Sequence, residues 1–158
     1  MSRYILSVPP AYYQTGYTCW AAGAASWLHA TRMGLATPEQ LIIRFGSYLD
    51  EDGAIAESDM RNIFRQMKID LYLNSTKDFT YSFIRGYLER KGHLLLMYAA
   101  TGDDLAHTYV IYGVGWPSDA YFNTFDSLKG SGGYKSRAFS AVQRTASVFY
   151  IGWNAMAA

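Results

Sequence analysis

A single cysteine, Cys19, stands among 158 residues, so no intramolecular disulfide can form and the fold does not depend on an oxidising compartment. That one thiol and three separated histidines, His29, His93 and His107, give no ligand pair at helical or knuckle spacing, so neither a metal nor another cofactor is expected. Charge of one sign is equally scarce. The formal balance is +1 with Lys and Arg dispersed, which argues against a phosphate-binding nucleic-acid module. No run approaches the apolar length of a membrane span. The stretch Met1–Pro10 is too short for a signal h-region and is broken by prolines, so no cleavable signal peptide is expected. The expected location is the cytoplasm of the producing cell, or outside it by a signal-independent route. What the chain does have is apolar: 50% hydrophobic and 16% aromatic residues, with no repeat and no linker. A chain of this length buries about 70% of its extended surface, enough for one core, and residues 1–158 read as one domain.

By residue type alone a lone cysteine is a small buried hydrophobe. The surroundings of Cys19 argue otherwise. Trp20 to Met33 is rich in Ala, Leu and Trp, holds no proline and predicts a buried helix with Thr18 as N-cap. A thiol in the first turn faces unsatisfied N–H groups and the positive end of the helix dipole, which favour the thiolate, the nucleophilic form. Upstream, Gln14 sits in the loop Tyr12–Gly16, from which its amide and the Cys19 N–H can together hold a developing oxyanion.

The segment Gln14-Thr-Gly-Tyr-Thr-Cys19-Trp20 resembles the active-site segment of the papain-like cysteine peptidases, in which the histidine base comes from elsewhere in the chain. His29 lies inside the Cys19 helix on another face and reads as core or surface. His93 opens the apolar run Leu94–Tyr98 after Gly92 and reads as a partly exposed junction residue. His107 follows the polar loop Thr101–Ala106 and opens the strand Thr108–Gly113. That pattern resembles the histidine segment of the superfamily, which makes His107 the expected general base. The third residue, which orients the imidazole, then comes from the paired strand Ala120–Asp126. Period-2 alternation puts Asn123 and Asp126 on opposite faces, so only one can point at His107. In the bacterial peptidases that the chain resembles this strand ends in Asp, then Pro and Gly. Asp126-Ser127-Leu-Lys-Gly130 departs only by Ser for Pro, so Asp126 is expected, with Asn123 as the alternative.

The order Gln, Cys-Trp, His, Asp spans most of the chain and is similar to bacteriocin-leader peptidase domains and to bacterial papain-like effector proteases. It implies an α+β fold: a helical N-terminal part, with the nucleophile at a helix start, packed on a C-terminal antiparallel sheet. Thr37-Pro38-Glu39-Gln40 predicts a capped helix from Pro38 to Phe45, and Ser58 caps another over Asp59–Met67. A fourth helix runs from about Phe79 to Lys91 and ends at Gly92. Four strands follow, the last being Ser147–Trp153. Tyr48–Gly53 is an acidic solvated loop without the ligands of a calcium site. Tyr13, Trp20 and Trp116 are candidates for lining a substrate cleft.

The resemblance implies a thiol peptidase acting on a protein or peptide, as a bacterial effector or toxin restrained by a cognate inhibitor or immunity protein. The same residues also serve a deamidase, a transglutaminase or a cell-wall amidase. A catalytically idle binding domain on the same scaffold is the third reading.

Overall fold

The computed structural model describes residues 3–98, 107–115, 121–128 and 132–156. Five helices are described: α1 (Cys19–Ala30), α2 (Pro38–Arg44), α3 (Glu57–Gln66), α4 (Tyr81–Lys91) and α5 (Phe139–Thr145). Seven strands join in one antiparallel sheet: β1 (Tyr4–Ile5), β2 (Ile69–Ser75), β3 (Leu94–Tyr98), β4 (His107–Gly115), β5 (Tyr121–Asp126), β6 (Gly133–Ala138) and β7 (Val148–Asn154). Their order is β2-β7-β3-β4-β5-β6, and β1 pairs with the far end of β4, at Gly113 and Val114, where β3 has already ended. This is the expected α+β arrangement, with strands β1 and β2 added from the N-terminal half.

Both faces of the sheet are covered, which is why β3 reads Leu-Leu-Leu-Met without alternation. One face carries Leu95, Met97, Val110 and Phe125 against the apolar side of α1, with α2 and α3 beyond it. The other carries Leu94, Leu96, Tyr109 and Ile111 against α4 and α5, around a cluster of Phe79, Phe122, Phe139 and Phe149. Helix α1 is the central element. Its Ala-rich sequence lets it approach the sheet closely, and every residue from Trp20 to Leu28 is buried. No helix among the described residues is long and apolar enough to cross a membrane.

Several local expectations are corrected. Helix α1 starts at Cys19 itself and stops at Ala30 instead of Met33, because Arg32 turns into the left-handed region at φ 58°. The Thr18 hydroxyl does not cap it, since it closes the preceding turn by bonding Thr15 O at 2.7 Å. Helix α3 begins at Glu57 after an uncapped Ala56, so Ser58 lies within its first turn, where Glu57 and Asp59 complement the dipole. Helix α4 begins two residues later than expected. Thr80 caps it through Phe83 N–H, and Phe79 is released to fill the core. Gly92 ends α4 with φ 81°, as its position suggested. His93 is buried instead of partly exposed, with Nε2 2.6 Å from Ser7 O. Strands β1, β2 and β6 and helix α5 were not expected.

Candidate active site

Three elements converge at the site. Helix α1 presents Cys19 at its first residue, half-buried, with no acidic side chain in the first turn to oppose a negative sulfur. Strand β4 supplies His107 at its first residue, and β5 supplies Asp126 at its last. The register pairs Asp126 with Tyr109, so the carboxylate sits beside the histidine end of β4. Asn123 pairs with Gly113, three residues further along β5, and its side chain lies outside the described residues.

The three side chains form a hydrogen-bonded line. His107 Nε2 lies 2.6 Å from Asp126 Oδ1, which leaves the other ring nitrogen for the Cys19 sulfur, to which the imidazole is also bonded. Burial pushes the His107 pKa down, but the bonds and charges of Asp126 and Cys19 outweigh it and raise the pKa to about 9. Cys19 moves the opposite way. Burial alone would raise it, yet the hydrogen bond and charge of His107, with further bonds from Thr108, bring it below the ordinary thiol value. Both shifts run in the direction that favours a thiolate facing an imidazolium.

Asp126 is almost wholly buried. Burial opposes its charge, while the His107 bond, the Leu128 N–H at 3.1 Å and the Arg137 charge hold its pKa below the usual carboxylate value. Arg137 of β6 donates Nη2–H to Asp126 Oδ2 at 2.9 Å, and its guanidinium lies over the Tyr109 ring. Nothing in the sequence around Arg137 singled it out, because β6 is a mostly polar edge strand and its pairing with β5 is visible only in three dimensions.

Gln14 reaches the site by a different route. Its backbone N–H donates to Ser127 O at 2.9 Å, and its Oε1 accepts from Ser127 Oγ at 2.8 Å. One amide N–H goes to Gly16 O at 2.8 Å, and the amide carries a second. Ser127, buried next to Asp126, therefore ties the Gln14 loop to the end of β5. The departure from Asp-Pro noted in the sequence was the signal for this residue.

Beside Cys19 and His107 opens a cleft of about 380 Å³, also bordered by Gln14. Its walls are mostly apolar, from Ile55, Met60, Met97 and Val148, with the Tyr150 hydroxyl donating to Glu57 at 2.6 Å. Trp20 borders the cleft, but it is buried and its indole N–H holds Gly53 O at 2.8 Å, fixing the loop before α3. Tyr13 is not among the cleft-lining residues; it packs edge-on against Phe125, with ring centres 5.8 Å apart. Trp116 lies outside the described residues. His29 is exposed at the far end of α1.

A helix that starts at a cysteine, packed on an antiparallel sheet that carries histidine and carboxylate, is the arrangement of the papain-like cysteine peptidases. Residues 4–127 match the family described as papain-like cysteine protease AvrRpt2, and the chain belongs to that family. Solved structures with the same fold include a double-glycine-motif protease from an AMS/PCAT transporter, in complex with its leader peptide. It has 16% identity, 94% of each chain covered and a TM-score of 0.59. The peptidase domain of Streptococcus ComA, a bifunctional ABC transporter of a quorum-sensing pathway, matches at 11% identity over 92% of this chain and 96% of that one, with a TM-score of 0.63. A structure from work on the mite allergens Blo t 1 and Der p 1 matches at 11% identity, covering 92% of this chain and 66% of that one, with a TM-score of 0.61. At these identities the likeness carries the fold. Among curated proteins, none matches the chain by sequence.

Proposed function

We propose that the protein is a cysteine peptidase that cleaves peptide bonds with Cys19 as nucleophile, His107 as general acid and base, Asp126 as orienting carboxylate and Gln14 in the oxyanion hole. The observation that carries this reading is the unbroken line of bonds from Cys19 through His107 to Asp126 at the mouth of an apolar cleft. In the first step the sulfur attacks the scissile carbonyl carbon, and the oxyanion is met by the Gln14 amide and the Cys19 N–H. The carbon–nitrogen bond then breaks, His107 gives its proton to the leaving amine, and a thioester remains. In the second step His107 takes a proton from water, the hydroxyl attacks the thioester, and Cys19 is released with the acid product. The chemistry of the cleft favours a substrate with an aliphatic or methionine-sized side chain beside the scissile bond. The effector or toxin role and a cognate inhibitor are proposed on the family resemblance.

The test is an irreversible, thiol-reactive peptide probe applied to the full chain, with mass spectrometry to locate the adduct, alongside cleavage of a peptide library. Expected are a single adduct on Cys19 and cut peptides with new N-termini, both lost in Cys19→Ala while its melting temperature stays unchanged. A probe-reactive Cys19 that turns glutamine into glutamate without cutting chains would replace the peptidase by a deamidase. Cleavage that survives Cys19→Ala would remove the enzymatic reading of this site.

A further inference from the structure

Thr108 follows the histidine on β4, and alternation turns it to the sheet face that packs on α1, the face it shares with Val110. It is 2% exposed, and its Oγ1 lies 3.7 Å from the Cys19 sulfur. Among the described residues no other group bonds to that hydroxyl. A buried hydroxyl is costly unless it is partnered, and valine would fill the same volume without that cost.

The position of the hydroxyl is fixed by its methyl group. Gly23 lies one helical turn beyond Cys19 on the same side of α1. A Cβ at Gly23 would stand 2.6 Å from the Thr108 methyl and 3.3 Å from its Cβ. The missing side chain is thus a notch into which the Thr108 methyl fits. With the methyl held there, the β-branched side chain keeps one rotamer, and that rotamer directs Oγ1 at the sulfur. A hydroxyl hydrogen rotates freely, so it accepts from the thiol and donates to the thiolate.

We propose that the Thr108 hydroxyl is a direct side-chain donor to the Cys19 sulfur, set by the Gly23 notch, and that it holds the nucleophile together with His107. This inference rests on the peptidase reading above. It adds a hydroxyl to the His107 imidazole and the Thr108 backbone around the sulfur, so the thiolate is held before it attacks the carbonyl and again as it leaves the thioester.

The test measures the rate of iodoacetamide alkylation of Cys19 against pH in the wild-type chain, Thr108→Val and Thr108→Ser. Removing one hydrogen bond to a charged group should move the midpoint up by about one pH unit in Thr108→Val, about a tenfold loss of rate below the midpoint. Thr108→Ser keeps the hydroxyl but loses the methyl that seats it, so its midpoint should lie between those of the wild type and Thr108→Val, which a packing role for the side chain would not predict. The proposal is overturned by an unchanged midpoint in Thr108→Val, or by a serine variant that behaves like valine. A wild-type Cys19 that alkylates only in the ordinary thiol range would instead overturn the peptidase reading itself.

Discussion

Gln14 and Asp126 are held by groups that have no chemistry of their own in the reaction. Ser127 grips Gln14 from the residue next to Asp126, so the amide and the carboxylate share one support. Gln14→Ala should lower kcat by about 10²–10³, the usual cost of an oxyanion donor. Ser127→Ala should give a smaller loss in the same direction. Neither change should alter the alkylation of Cys19, because the bonds to its sulfur remain; altered alkylation in either variant would show that the loop supports the nucleophile as well. Asp126→Ala is different in kind. It should lower kcat/KM by about 10²–10⁴ and move the alkylation midpoint up, since the imidazolium loses its partner, whereas Asn123→Ala should do neither. The reverse order in the same assay would transfer the role to Asn123. At this scale the sequence was informative where chemistry depends on residue type. Cys19, His107, Asp126 and Gln14 carry unusual groups in a recognisable order. Thr108 and Arg137 do not, because a threonine in a strand and an arginine on an edge become meaningful only through what lies across from them.

Elements were legible where periodicity or a cap marked them. The capping box at Thr37 and Gln40 is formed by both side chains, and Pro38 opens the helix as its sequence required. Phe79 was misread as the first residue of a helix. Its real place is at the centre of an aromatic cluster, with Phe122, Phe139 and Phe149 at 5.1, 5.1 and 5.0 Å between ring centres. Propensity alone cannot separate a helical phenylalanine from one that plugs the core just before a cap. Strand β6 was missed for the opposite reason, since Tyr-Lys-Ser-Arg at a sheet edge shows no apolar alternation. Because Phe79 joins β5, β7 and α5, Phe79→Ala should destabilise the protein by about 3–5 kcal/mol in urea unfolding. Alkylation of Cys19 in the folded variant should be unchanged. A loss below about 1 kcal/mol would mean that the cluster closes over the gap.

For the molecule as a whole, two histidines set opposite limits with pH. His107 has its pKa raised to about 9, so its contribution to stability is complete below the ordinary value of 6.5 and is lost as pH rises through about 9. Burial lowers the His93 pKa and outweighs the bond to Ser7 O, which acts the other way. The unfolded chain therefore takes up the His93 proton first, and stability falls as pH drops below about 6.5. Urea unfolding across pH should show a maximum near 6.5 with a fall on either side, the alkaline fall ending near 9, and His93→Gln should flatten the acid side alone. An acid limb that survives His93→Gln would assign it to the carboxylates. Peptidase activity should fall on the alkaline side near 9, where His107 loses the proton destined for the leaving amine.

The stretch before α1 is sewn to the rest of the molecule at several points. Ser7 O meets His93, Pro9 O takes the Tyr134 hydroxyl at 2.6 Å, and Pro10 O takes the Ser26 hydroxyl at 2.7 Å. Gln14 then reaches Ser127. This stretch thus finds its partners mainly in the second half of the sequence. A growing chain carries its thiol through most of synthesis with no base beside it and no anchor for the Gln14 loop, and both arrive together when His107, Asp126 and Ser127 emerge. Translation in this order delivers the thiol well before its partners, and the three side chains can meet only once the strands of the second half have been made.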